Sequence, residues 1–144
     1  MHNTKPLPEE IIIALGSKLH DGRRVGSREI CNPPPTDTDE DWLVLVGENP
    51  EKEMSDAGYV REGGPNFYTG NDNGGFISWR KEETNVITTQ SEEFFDRFMT
   101  ATYLAKRFNL KRKADRIALF QAVLYGVRIA NLEAEPWDPE KEAA

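Results

Sequence analysis

A chain of 144 residues is long enough to bury a real core and reads as one domain. Its 25 acidic side chains outweigh 18 basic ones, leaving a net charge of −7, which argues against broad affinity for duplex nucleic acid. A single cysteine, Cys31, rules out an internal disulfide framework, and with only His2 and His20 beside it a Cys/His zinc site is not expected.

The apolar runs are too short to cross a membrane, and the opening MHNTKPLPEE lacks the basic start and apolar core of a signal peptide. A cytoplasmic chain without membrane contact is expected. In chain order, residues 6–22 (PLPEEIIIALGSKLHDG) read as a first helix, with Glu9 and Glu10 at the positive end of its dipole and Gly22 ending it. Arg23–Ser27 (RRVGS) reads as a short strand breaking into a turn, and the prolines of CNPPPTD impose a loop. Trp42–Val46 is apolar at every position, the pattern of a strand covered on both faces.

Residues 49–58 predict a short helix closed by Gly58, followed by a glycine-rich loop over 61–75. Phe76–Arg80 and Thr84–Thr88 predict a hairpin. Thr89, with Glu92 three residues on, forms a capping box for a helix over 92–109, on which Phe94, Phe98, Tyr103 and Ala105 fall near one stripe. After the basic link LKRKAD, residues 116–134 predict a last helix with Ile117, Phe120, Val123 and Leu124 inward, and residues 135–144 an acidic tail. The expected fold class is α+β: a mixed sheet of about four to five strands, packed with helices and followed by a C-terminal helical pair.

Four carboxylates, Asp37, Asp39, Glu40 and Asp41, crowd against the apolar strand. Asp39 and Asp41 are two apart, so on a strand they share a face about 7 Å apart. Such a pair can hold one or two hard cations, with phosphate oxygens completing the shell as Mg²⁺ prefers. Gly26-Ser27, where the preceding strand breaks, can offer N–H groups and a hydroxyl to phosphate, and Arg28 a guanidinium.

Gly26-Ser27-Arg28 followed by TDEDWLVLV (Thr38–Val46) resembles the Gly-Ser…[Ser/Thr]-Asp-x-Asp-hydrophobic pattern of the DNA polymerase β-like nucleotidyltransferases, in particular its minimal members. The run from FISWRKEETNVITT to Gly126 is similar to small phage-encoded proteins of that kind, for which a host-cytoplasmic setting follows. The resemblance implies one nucleotidyltransferase-like domain over residues 1–134, binding Mg²⁺ (or Mn²⁺) and a nucleoside triphosphate. Gly26, Ser27 and Arg28 would hold the phosphates, and Asp39 and Asp41 the metal. Asp37-Thr38-Asp39 also fits an Asp-x-Asp, leaving Asp37 as an alternative ligand. The implied activity is nucleotidyl transfer to a hydroxyl of RNA, protein or a small molecule. The family's third carboxylate, expected on a neighbouring strand, is replaced here by Asn85, which can orient an acceptor but cannot take its proton. Glu82 or Glu83 could substitute for it. The alternative is an inactive copy of the fold that serves as a binding or regulatory module, with a protein partner or a second copy.

Other readings compete at single features. The acidic run could be a solvated loop, or a calcium loop, although the latter requires glycine where Trp42 stands. Tyr59, Phe67, Tyr68 and Trp79 could stack a base or belong to the core. The basic Leu110–Arg116 segment could contact RNA or be a solvated helix junction. Ser27 lacks the setting of a hydrolase nucleophile, and the glycines of 63–75 match no phosphate-binding fingerprint.

Overall fold

The computed structural model describes residues 7–35, 39–62 and 76–125. The first helix, α1, spans Glu9–Leu15, buries Ile11 and Leu15, and stops at Gly16, six residues before the expected Gly22. Gly16 adopts φ +53°, which a residue with a Cβ resists, and a single 3₁₀ turn carries the chain to Lys18. The residues assigned to the end of that helix instead form strand β1, Leu19–Val25, longer than the short Arg23–Ser27 strand expected. His20 is exposed on it. Sheet pairing overrides the weak helical periodicity of SKLHDG: β1 lies antiparallel to β2, Glu40–Val46, from Leu19↔Val46 to Val25↔Asp41.

The turn at Gly26 opens a one-turn helix α2, Ser27–Ile30, before the proline loop. After β2 come α3, Glu51–Asp56, which ends before Gly58 as expected, and a strand the sequence did not announce, β3, Val60–Glu62. The hairpin is β4, Phe76–Lys81, with β5, Thr84–Thr89. The five strands form one mixed sheet in the order β1-β2-β5-β4-β3, in which β2 and β5 run parallel and the other pairs antiparallel. The fold is mixed α+β, with helices packed on both faces.

Trp42–Val46 is almost wholly buried, as its unbroken apolar run requires. Its even members, Trp42, Val44 and Val46, join Ile11, Leu15, Met54, Tyr59, Trp79 and Val86 in one core under α1 and α3. Trp79 Nε1 donates to Thr88 Oγ1 at 3.0 Å, so the buried indole is satisfied. The odd members, Leu43 and Leu45, join Ile87, Phe76 and Val25 in a second core under α4 and α5.

Helix α4 spans Glu92–Arg107. Its N-cap is Ser91, whose hydroxyl accepts from Phe94 N at 3.1 Å, not the expected Thr89. Thr89 stays in the sheet, paired with both Leu45 and Phe76. The buried stripe of α4 is Phe94, Phe98, Ala101 and Ala105, flanked by Phe95 and Thr102. Tyr103 points outward at 40% exposure, because it lies five residues from Phe98 and so turns off the i+3/i+4 face. Asn109, at φ +51°, ends the helix, and Leu110 N bonds back to Ala105 O at 3.0 Å.

Helix α5, Lys113–Tyr125, starts inside the expected basic link. Phe120 and Leu124 are buried, while Ile117 and Val123 are half-buried. Phe76, Phe94, Phe98 and Phe120 contact one another in sequence, stacked, tilted and edge-to-face in turn, with centroids 5.0, 5.8 and 4.9 Å apart, tying sheet, α4 and α5 together. Residues 126–134 of the expected last helix, the 135–144 tail, and the glycines between 63 and 75 lie outside the described residues. No described helix is long and apolar enough to cross a membrane.

Candidate functional site

Strand pairing puts Asp41 between Val25 of β1 and Asn85 of β5, and Asn85 beside Arg80 of β4. Period-2 alternation then places Asp39, Asp41, Asn85, Ser78, Arg80 and Glu62 on the face that carries Leu43 and Ile87. That face is therefore divided. Its apolar half lies under α4, and its polar half lies at the end of the sheet where β1 leaves and β2 and β5 begin.

The turn after β1 closes the site from the other side. Gly26 has φ +78°, and a Cβ added there would collide with a carboxylate oxygen of Asp41. Only glycine admits this approach of backbone to carboxylate. Two motifs separated in sequence, Gly26-Ser27 and Asp39-x-Asp41, thus meet at one point. The one-turn helix α2 starts here, with Glu29 N and Ile30 N bonded back to Gly26 O at 3.0 and 2.9 Å.

Burial is the largest influence on Asp41 and raises its pKa from 3.8 to about 6. A hydrogen bond from Asn85 opposes that rise, Asp39 adds to it by repulsion, and the charges of Arg80 and Arg28 pull it down. The side chain that hydrogen-bonds Asp41 is therefore an amide and not a full countercharge. Ser78 Oγ lies 2.9 Å from Asn85 Oδ1 and 3.2 Å from Glu62 Oε1, and its single proton serves one of them at a time. With its oxygen toward Ser78, Asn85 turns its NH₂ to Asp41 and acts as a donor to that carboxylate.

Asp39 carries the ion pair of the site: Arg80 Nη2 lies 3.0 Å from Asp39 Oδ2, while Arg80 Nε lies 2.9 Å from Glu62 Oε2. Arg80, Ser78 and Glu62 were not among the candidates read from sequence. The alternation of FISWRK, with Trp79 turned to the core, marks Ser78 and Arg80 as facing the other way, but nothing local links them to Asp39.

A fourth missed residue is Glu29, which is charged yet buried at 5% exposure. Arg24 Nε reaches its Oε1 at 2.9 Å and Lys106 Nζ its Oε2 at 2.7 Å, which pins α2 to β1 and to α4. A lone buried carboxylate is costly, and Glu29 has both cations as partners.

The chain matches no family model, no curated protein and no solved structure.

Asp39, Asp41 and Asn85 come together with Gly26, and Arg28 is near enough for its charge to act on Asp41. Asp37 lies outside the described residues. Glu82 and Glu83 stand exposed in the β4–β5 turn, and among the described residues no three His, Cys, Asp or Glu side chains gather as a metal-binding group. The calcium-loop reading fails, because Glu40–Val46 is strand. Tyr59 and Trp79 belong to the core on the opposite face, with Lys81 Nζ 5.6 Å from the Tyr59 ring centre, so neither is placed to stack a base; Phe67 and Tyr68 lie outside the described residues. In the basic segment, Arg116 caps the loop carbonyls of Leu110 and Lys111 at 3.0 and 2.7 Å.

Two carboxylates that can converge on one point, with phosphate oxygens to complete the shell, suit a single Mg²⁺. Desolvation sets the half-buried Asp41 carboxyl against ionising, and a cation bound beside it would oppose that shift. A second ion is less well served, because Asn85 presents an amide where another charged ligand would be needed.

Proposed function

We propose that the end of the sheet around Asp39 and Asp41 binds a nucleoside triphosphate together with one Mg²⁺ ion, in a nucleotidyltransferase-like domain. The carrying observation is the contact between the Gly26 backbone and the Asp41 carboxylate. A phosphate held by the N–H groups of Ser27 and Arg28 would lie beside that carboxylate, and two anions so close repel unless a cation lies between them. Gly26, Ser27 and Arg28 hold the phosphates in this reading, and Asp39 and Asp41 hold the ion. The Mg²⁺ would supply charge neutralisation along the triphosphate.

Calorimetry with ATP, GTP, CTP and UTP in Mg²⁺ tests the proposal, and no heat above dilution with any of them refutes it. Transfer to a hydroxyl of RNA, protein or a small molecule is the catalytic extension. Label moved from the α-phosphate by the wild type but not by Asp41→Asn supports it, and equal label in both removes it.

One observation favours a second reading, that of a binding or regulatory module without catalysis, completed by a protein partner or a second copy. Asn85 spends its amide on Asp41 and Ser78, so the strand next to the metal ligands provides no proton acceptor for an attacking hydroxyl. On this reading triphosphate binds and is not turned over, and Asn85→Asp creates no activity. Turnover in Asn85→Asp would favour the enzymatic ancestry of the site.

A further inference from the structure

We propose that Arg80 is a latch on the metal-binding pair: its guanidinium holds Asp39 while no divalent cation is bound, and releases it when one arrives. The inference rests on the reading of Asp39 and Asp41 as metal ligands and adds to it a residue that sets their affinity.

The two contacts of Arg80 use different nitrogens, Nη2 to Asp39 at 3.0 Å and Nε to Glu62 at 2.9 Å. They can therefore be made and broken separately. Glu62 sits on the edge strand β3 and pairs with Ser78, while Arg80 pairs with Val60, so the anchor lies diagonally across one strand pair from the guanidinium. Released from Asp39, Arg80 keeps its bond to Glu62 and remains within the site. Arg80 and Asp39 are both partly open to water, with side-chain exposures of 35% and 46%, so a rotamer change meets no packed wall.

An ion pair this exposed is weak, which a reversible latch requires. A cation approaching Asp39 must nevertheless displace the guanidinium and then tolerate a unit positive charge a few ångströms away. Glu62 decides where that charge goes. Without it the freed guanidinium would fall back on the metal-binding pair; with it, Arg80 has a carboxylate outside that pair and stands ready to face a phosphate that enters with the ion.

The test is Mn²⁺ binding without nucleotide, read by the loss of the free-ion paramagnetic resonance signal, in the wild type, Arg80→Met and Arg80→Lys. Arg80→Met keeps the aliphatic stem and removes the charge, and its Mn²⁺ dissociation constant is expected to fall by about tenfold. Arg80→Lys is expected to stay near the wild type. Equal or weaker Mn²⁺ binding by a folded Arg80→Met overturns the latch. A measurement on the unaltered protein guards against a misfolded variant: on titration with Mg²⁺, the Arg80 Nε–H resonance is expected to move together with the Asp39 backbone amide. An Arg80 signal that stays fixed while Asp39 moves also overturns it. Calorimetry with Mg²⁺ and triphosphate separates the two claims. Nucleotide binding by all three proteins with no gain in Mn²⁺ affinity in Arg80→Met removes only the latch, whereas no binding of ion or nucleotide by any of the proteins removes the site and the latch with it.

Discussion

Replacing Asp41 by Asn should make the protein more stable at neutral pH. Asp41 keeps its proton up to about pH 6 when folded, against 3.8 as an ordinary carboxyl, chiefly because burial disfavours the charged form. The folded state therefore binds more protons than the unfolded one between pH 3.8 and about 6, so stability falls as pH rises through that window and stays at the lower level above it. At 1.36 kcal/mol for each pH unit, the displacement corresponds to about 2–3 kcal/mol above pH 6. Asparagine is nearly isosteric, can still accept from Asn85, and carries no charge to desolvate. Urea unfolding at pH 4 should give nearly equal stabilities for wild type and Asp41→Asn, and at pH 7.5 the variant should lead by about 2 kcal/mol. Added Mg²⁺ or Mn²⁺ should narrow the lead by stabilising the wild type alone. A lead that does not change with pH, or a variant less stable than wild type at pH 7.5, would refute the view that Asp41 is held against its ionisation.

Three further substitutions probe the frame of the site. Glu29→Gln removes a buried charge that holds both Arg24 and Lys106 and should cost about 2–3 kcal/mol, at or below the lower end for broken buried pairs because Lys106 can reach water; urea unfolding reads it, and a loss under about 1 kcal/mol would show that the pair contributes little. Gly26→Ala places a methyl group on the Asp41 carboxylate at a left-handed φ, and should abolish the calorimetric heat of Mg²⁺–triphosphate binding while leaving the far-ultraviolet dichroism of the fold intact; unchanged heat would place the ligand elsewhere. Phe98→Ala empties the centre of the aromatic column between Phe94 and Phe120 and should cost about 3–5 kcal/mol in the same unfolding assay, with a loss below about 1 kcal/mol contradicting the packing described.

The parts of this fold that could be read from the sequence are those whose signal is local. Trp42–Val46 declares itself by five apolar residues in a row, the hairpin by two alternating segments around a polar turn, and α4 by its phenylalanine spacing. Where two local signals compete, tertiary pairing decides. SKLHDG has residual helical periodicity, but its backbone finds β2 to pair with, so it becomes strand. Thr89 has a capping residue's chemistry and a Glu three residues on, yet two ladder partners hold it in β5 and the next hydroxyl, Ser91, takes the role. The three-residue strand β3 has only its pairing with β4 to define it.

The site divides in the same way. That Gly26-Ser27 and Asp39-x-Asp41 belong together came from a motif, and that Asn85 adjoins Asp41 came from expecting a neighbouring strand. The contacts of Arg80 with Asp39 and of Glu29 with Lys106 cross 41 and 77 residues of chain, and no periodicity carries that information.

The double tether of Glu29 gives the site one immovable wall. Because α2 is fastened at folding to the strand before it and to α4, the entropy of ordering Gly26–Ile30 is spent before any ligand arrives, and that side is preorganised. On the other side of Asp41, Arg80 and Glu62 are joined by a solvent-accessible bond. For the ligand proposed above, adaptation would be confined to the Arg80 side. Substitutions around α2 should scale affinity for every anion alike, and those around β3 and β4 should change which anion is preferred.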